Sequence, residues 1–179
     1  EAFGMLPQAE QVKLSPNGTK LALIRHSKGS TYIGVKDVKG DETKYILSTD
    51  NQKFKIGWFV WANNDLLLVS GNYPVKNRRV KYTETRLIKI RVDGTEEPQT
   101  IMRPKRGEIN PQFQTSIIDL LPDEPNFILM ELSLQASNRP DVYKINLNLE
   151  RGHKIIRRMR SHIEGWMVDQ QHRVRLGFG

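Results

Sequence analysis

The sequence contains no cysteine and has no long hydrophobic run. The lack of cysteine excludes a disulfide scaffold, a thiolate metal site and a cysteine nucleophile. A membrane-spanning helix needs about 18 or more consecutive apolar residues. No run in the chain approaches that length, so the sequence predicts no membrane insertion.

The composition is otherwise that of a folded globular protein. Of the 179 residues, 37% are hydrophobic and 27% are charged, which is too apolar for a disordered chain. A length of 179 residues suits one domain better than two of ordinary size. The 28 basic residues outnumber the 20 acidic ones, which gives a net charge of +8. This excess permits contact with nucleic acid, anionic lipid or an acidic partner, and it also fits a plain surface that avoids self-association.

A repeated pattern of turns and apolar runs divides the chain. In three places, residues that favour tight turns separate two apolar stretches, which predicts a β-hairpin. The apolar runs after these turns are short and continuous, which is typical of strands covered on both faces. The three turn-and-run segments are residues 16–24, 63–69 and 122–130, and a weaker fourth copy covers residues 166–176.

Two further strands follow each of the first three hairpins. The predicted third strands are residues 33–38, 87–92 and 142–147, and the fourth are residues 44–47, 99–102 and 154–157. Gly40, Gly94 and Gly152 lie between the third and fourth strands, where we expect a positive φ that glycine adopts at no steric cost. Each unit is therefore predicted to be four antiparallel strands.

The pattern predicts an all-β fold, namely a partial β-propeller of about three and a half four-stranded antiparallel blades. Residues 1–8 are predicted to be an N-terminal lead and residues 9–179 the partial propeller. The blades are expected at about 9–50, 53–104 and 113–160, with half a blade at 162–179. No helical stripe alternates with the strands, which excludes a doubly wound α/β domain. The alternative is a β-sandwich, but its strands usually leave one face in water.

Three stretches of the chain resemble blade sequences of one enzyme family. Positions 14–22 read Leu-Ser-Pro-Asn-Gly-Thr-Lys-Leu-Ala, which resembles a blade opening of the form LSPDGKxLA. Positions 165–175 resemble the opening GWLVDRDGRVR, and positions 138–147 resemble a further strand. The family is the prolyl oligopeptidase family of serine peptidases, in the branch of acylaminoacyl peptidases and dipeptidyl aminopeptidases. The chain departs from it at Asn17, where Asp is usual, and at positions 170–172, where the family has an acidic-glycine turn.

The resemblance implies a parent protein in which a β-propeller precedes an α/β-hydrolase domain. In that family the serine nucleophile lies on a Gly-x-Ser-x-Gly elbow. These 179 residues contain no such motif, so no catalytic residue is expected in this chain and the hydrolase domain is expected beyond Gly179. The chain is then a non-catalytic N-terminal fragment of a serine peptidase, which gates and positions peptide substrates for that domain.

Partners and location follow from the same resemblance. The expected partners are the protein's own C-terminal hydrolase domain, a peptide substrate and further copies of the chain, because an incomplete propeller leaves its outer blades uncovered. Residues 3–7 resemble the lead of secreted bacterial members, which favours a periplasmic or secreted location. The alternative function is a stand-alone propeller binding module of the cell envelope that mediates protein–protein interaction.

The sequence offers no metal or cofactor site. The four histidines lack the spacing that metal sites favour, so no metal ion and no cofactor are expected. They are His26, His153, His162 and His172. Three tryptophans, Trp58, Trp61 and Trp166, lie near blade openings, where we expect packing between blades.

Basic clusters provide the candidate binding residues. They lie at positions 76–81, 103–106 and 157–160, and they lack the interleaved aromatic residues that stack nucleic-acid bases, so no nucleic-acid partner is expected. The first cluster belongs to an insertion, residues 71–82, between the second and third strands of the second blade, which we expect to be a loop longer than a hairpin needs. Arg78 and Arg79 in this insertion suit bidentate pairing with a substrate carboxylate.

Overall fold

A computed structural model of the chain describes residues 9–135, 139–160 and 162–179. These residues form fourteen β-strands and no helix, and hence no helix long and apolar enough to cross a membrane. The predicted all-β fold is therefore confirmed. The predicted lead, residues 1–8, lies outside the described residues.

The strands form three four-stranded sheets and one two-stranded sheet, all antiparallel. Sheet 1 contains β1 (Ala9–Leu14), β2 (Lys20–Ser27), β3 (Ser30–Asp37) and β4 (Lys44–Thr49). Sheet 2 contains β5 (Lys55–Asn63), β6 (Leu66–Asn77), β7 (Val80–Arg91) and β8 (Gln99–Thr100). Sheet 3 contains β9 (Ile117–Asp119), β10 (Phe127–Leu132), β11 (Asp141–Asn146) and β12 (His153–Arg157). Sheet 4 contains β13 (Gly165–Val168) and β14 (Val174–Phe178).

Within each sheet, every strand pairs only with its neighbours in sequence. This order is that of propeller blades. It differs from the alternative β-sandwich, in which Greek-key connections carry strands past their sequence neighbours. The fold is that of a partial β-propeller.

The described chain forms two compact units. One comprises the residues up to Thr83 together with Ile88–Gln99, and the other comprises Glu84–Leu87 with Thr100–Gly179. The first unit contains sheet 1 and most of sheet 2, and the second contains sheets 3 and 4. Each unit has its own core of alternating apolar side chains, as strands with one face on a neighbouring sheet require. The first core includes Ala22, Ile24, Ile33, Phe59, Trp61, Leu67 and Val69, and the second includes Leu121, Leu129, Val142 and Val174.

The apolar runs differ in how far they are buried. In β6, six consecutive residues from Leu66 are buried, so both faces of this strand are covered as predicted. In β2 only Ala22 and Ile24 are buried, while Leu21 and Leu23 on the opposite face are half-buried. The prediction of strands covered on both faces is therefore correct for β6 and wrong for β2.

Of the three glycines predicted at positive φ, only Gly94 has one, at +67°. Gly152 fulfils a different requirement. A Cβ atom there would lie 2.6 Å from the Cβ of Leu149 and 2.9 Å from that of Asn146. Glycine is thus needed at this turn for space and not for backbone conformation.

Candidate functional site

The basic insertion of sheet 2 is a hairpin and not the loop that the sequence analysis predicts. Strands β6 and β7 each run for 12 residues and are joined by the two-residue turn Arg78-Arg79. The extension is rich in β-branched and aromatic residues, which favour extended backbone over an open loop. We call residues 71–83 the arm.

Arg78 and Arg79 lie at the tip of the arm, and both are exposed. The backbone of Arg78 has a φ of +54°, a conformation that glycine adopts more easily than arginine. Within the described residues, neither guanidinium group forms an ion pair. The tip therefore presents two adjacent cations that are free to meet an anion.

The base of the arm is held more firmly than its tip. The ring of Tyr73 stacks on Phe54 with 5.4 Å between the ring centroids. A Cβ at Gly71 would lie 2.9 Å from the Tyr73 ring and 3.1 Å from Ile88 Cδ1, so the chain is closely packed there. The arrangement holds the root of the arm and leaves the arginines in solvent.

In the first unit, the first strands of sheets 1 and 2 are joined by side-chain to backbone hydrogen bonds. Lys13 Nζ donates to the carbonyl of Phe59 at 2.6 Å, and Trp61 Nε1 donates to the carbonyl of Lys13 at 3.1 Å. A bulge in β1 gives Gln11 a φ of +50°, and its side chain donates to the carbonyl of Gly57 at 3.0 Å. Trp61 is thus a packing residue between sheets, as predicted.

In the second unit, Glu131 of sheet 3 reaches sheet 4. The backbone N–H of Trp166 donates to Glu131 Oε1 at 2.6 Å, and the indole Nε1 donates to the carbonyl of Pro140 at 3.3 Å. Burial raises the pKa of the Glu131 carboxyl above its ordinary value, and the hydrogen bond from Trp166 partly opposes this. Trp166 packs on the second core, so it too has the predicted packing role.

His172 forms a second link between these sheets. Its Nδ1 lies 2.9 Å from Asp119 Oδ2, and its backbone has a φ of +61°. The hydrogen bond with Asp119 raises the pKa of His172 above its ordinary value, and the negative charges of Asp119, Asp123 and Asp169 act in the same direction. The contact that joins sheet 4 to sheet 3 therefore favours the imidazolium form of His172.

This link predicts that the second unit is less stable at alkaline pH. Because the folded pKa of His172 lies above its unfolded value of about 6.5, its contribution is fully present below that pH. The contribution is lost as the pH rises through the folded pKa. We expect His172→Asn, which suits a positive φ but does not titrate, to destabilise the protein more at about pH 6 than at about pH 9. Urea unfolding followed by Trp166 fluorescence, with Trp58→Phe and Trp61→Phe in both proteins, measures this, and an equal difference at both pH values would contradict it.

A second carboxylate–imidazole pair is buried within the second unit. Glu108 Oε2 accepts from His153 Nε2 at 2.7 Å and from the backbone N–H of Lys105 at 2.7 Å. Lys105 Nζ donates to the carbonyl of His153 at 2.6 Å. The His153 side chain is 1% exposed and that of Glu108 is 15% exposed. This pair therefore fixes the segment after sheet 2 onto β12.

The described residues contain no group of three or more His, Asp and Glu side chains that could hold a metal ion. Three of the four histidines instead contact a single carboxylate each. These contacts are His26 with Glu10 at 3.1 Å, His153 with Glu108 and His172 with Asp119. Their geometry is that of structural pairs.

Comparison with solved structures finds the same fold in peptidases. An acylaminoacyl peptidase in complex with Z-Gly-Gly-Phe-chloromethyl ketone is 16% identical, with a TM-score of 0.58 over 92% of this chain and 27% of that chain. The acylaminoacyl peptidase of Pyrococcus horikoshii is 16% identical, with a TM-score of 0.52 over 84% of this chain and 25% of that chain. A puromycin-hydrolyzing peptidase of Mycobacterium tuberculosis is 12% identical, with a TM-score of 0.52 over 91% of this chain and 23% of that chain.

At these identities the likeness establishes the fold. The chain spans about a quarter of the length of each of these peptidases. No family model and no curated protein sequence matches it.

Proposed function

We propose that this chain is a propeller portion of a serine peptidase of the prolyl oligopeptidase family, and that it gates and positions peptides for a hydrolase domain outside these 179 residues. The observation that carries the proposal is the position of the two blade-opening motifs. Positions 14–22 span the turn between β1 and β2, and positions 165–175 span the turn between β13 and β14. Both motifs thus open a sheet, as they do in the family that they resemble. The fold shared with acylaminoacyl peptidases supports the same proposal.

The proposed gating role is the one that the family resemblance implies. A propeller beside a hydrolase domain would screen large folded substrates from the active site and help to position peptide termini. The chemistry then takes place in a site that this chain helps to enclose. We include a periplasmic or secreted location in the proposal because residues 3–7 resemble the lead of secreted bacterial members of the family.

The complete gene product tests this function. We expect it to react covalently with a fluorophosphonate probe, to cleave short peptides and to leave a folded protein intact. The 179-residue chain is the matched control and should not be labelled. A complete product that carries no reactive serine would contradict the proposal and support the alternative, a binding module of the cell envelope.

We further propose that Arg78 and Arg79 bind the α-carboxylate of a peptide substrate. In the complete protein, Arg78→Ala or Arg79→Ala should raise KM by about tenfold, since each variant removes a charge-assisted hydrogen bond. Peptide turnover kinetics measure this.

Two controls separate charge from backbone conformation. Peptides with an amidated C-terminus should show no difference between the variants and the parent, because they lack the carboxylate. Arg78→Gly relieves the positive φ at the tip and removes the same charge, so it should behave like Arg78→Ala. An unchanged KM for free peptide acids would refute the role of these arginines.

We also propose that the chain by itself associates with further copies. Sheet 4 has only two strands, and its Met167, Leu176 and Phe178 side chains are 55%, 63% and 55% exposed. An edge strand with exposed apolar residues is a template for pairing. Light scattering should show dimers or larger species that Leu176→Lys disperses and Val80→Lys, at an equally exposed position on the arm, does not. A strict monomer at high concentration would refute the proposal.

A further inference from the structure

The second unit contains a cleft rich in arginine, with a volume of about 630 Å³. Arg157, Arg158, Arg160 and Arg175 line it, together with Trp166 and Ile163. We call it the arginine cleft. Its volume lies within the range of about 300–1,000 Å³ that is usual for ligand sites.

The walls of the arginine cleft are held in place by hydrogen bonds. The backbone N–H of Met159 donates to Asp141 Oδ1 at 2.7 Å, which fixes the segment that carries Arg158 and Arg160. The backbone N–H of Trp166 donates to Glu131 and its indole Nε1 donates to the carbonyl of Pro140, which fixes the backbone and the ring of this residue. The cleft is therefore preformed, which lowers the entropy that binding must overcome.

The charge of the cleft is strongly positive. Arg175 Nε lies 2.6 Å from Asp169 Oδ2, so this arginine is already neutralised. The hydrogen bond from Arg175 is the main reason that the pKa of Asp169 lies below its ordinary value, so the carboxylate stays charged. Across residues 9–135, 139–160 and 162–179, the other three arginines form no ion pair. No carboxylate is among the lining residues, so the lining carries three arginines that have no ion-pair partner.

The shape of the cleft favours one class of anion. Inorganic phosphate would occupy only a small part of 630 Å³ and would leave Trp166 and Ile163 without a partner. A nucleic-acid strand requires a series of aromatic platforms along a groove, and Trp166 is the one aromatic residue lining this cleft. A short peptide with acidic side chains matches both features, because carboxylates pair with guanidinium groups and an apolar side chain packs on the indole.

We propose that the arginine cleft binds a short acidic peptide segment, with carboxylates on Arg157, Arg158 and Arg160 and an apolar side chain against Trp166. This binding site does not rest on the peptidase function, since every group that forms it belongs to the second unit. It also uses none of the residues of the arm.

Calorimetric titration of the 179-residue chain tests the site. The probe is acetyl-Glu-Leu-Glu-amide, and the comparison ligands are acetyl-Gln-Leu-Gln-amide, inorganic phosphate and a ten-nucleotide oligothymidine. We expect the acidic peptide to bind at least about tenfold more tightly than the neutral one, because the neutral peptide offers no charge-assisted hydrogen bond. Binding should also change the fluorescence of the parent chain, and the change should be absent in Trp166→Phe.

Matched arginine variants locate the binding. Arg158→Gln and Arg160→Gln should each weaken binding of the acidic peptide about tenfold, because each variant removes one charged contact. Arg151→Gln removes the same charge from an exposed turn outside the cleft and should have no effect. All three positions are exposed, so the variants should keep the parent's unfolding midpoint. Equal binding of the neutral peptide, tighter binding of phosphate or the oligonucleotide, or insensitivity to Arg158→Gln and Arg160→Gln would each overturn the proposal.

Discussion

Replacing Phe59 by alanine is expected to lower the free energy of unfolding of the first unit by about 3–5 kcal/mol. Phe59 is fully buried in the core between sheets 1 and 2, and it pairs with Val69 on the neighbouring strand. Lys13 Nζ lies 5.1 Å from the centre of its ring. Truncation removes the apolar contacts, leaves a cavity between the sheets and takes away the ring over which this ammonium group lies.

Urea unfolding in a Trp166→Phe background measures the effect on the first unit, because the two remaining tryptophans, Trp58 and Trp61, belong to it. Phe113→Ala is the control, since that side chain is 60% exposed and belongs to the second unit. It should change stability by no more than about 0.5 kcal/mol. A loss below about 1 kcal/mol for Phe59→Ala would mean that the two sheets do not share a packed core.

Replacing Glu108 by alanine is expected to cost the second unit about 2–3 kcal/mol, since it removes the carboxylate that accepts from two donors, one of which is buried. These donors are His153 Nε2–H and the backbone N–H of Lys105. The other ring nitrogen of His153 has no hydrogen-bond partner, so the imidazole cannot compensate on that side. Hydrogen exchange of β11 and β12 should accelerate accordingly.

Two variants calibrate that result. Glu108→Gln keeps an oxygen acceptor, so its free energy of unfolding should fall by only about half as much as that of Glu108→Ala. Glu150→Ala removes a carboxylate that is 67% exposed and pairs with Arg103, and it should cost at most about 1 kcal/mol. Similar losses for Glu108→Ala and Glu150→Ala would show that the buried pair is energetically unimportant.

The strands could be predicted from the sequence because their signals are local. Turn residues such as Asn17-Gly18 separate apolar runs, and Gly18 has the positive φ, +70°, that its hairpin requires. Such patterns specify which strands pair with their sequence neighbours. The same local signals failed at the arm, where the length of the insertion suggested a loop although its residues favour strands.

The contacts between sheets could not be predicted in this way. Glu131 and Trp166 are 35 positions apart in the sequence, and Asp119 and His172 are 53 positions apart. Nothing in the local sequence marks either carboxylate as a link between sheets. The arginine cleft shows the same limit. The basic cluster at 157–160 is visible in the sequence, but its meeting with Trp166 and Arg175 depends on how sheet 4 packs on sheet 3.

The nucleotide sequence of the gene downstream of the codon for Gly179 tests the central claim most directly. The proposed function predicts further four-stranded repeats followed by a Gly-x-Ser-x-Gly motif at a strand-to-helix turn, with Asp and His after it in that order. An immediate stop codon, or a continuation without a serine elbow, would contradict the peptidase proposal and leave the chain as a propeller binding module.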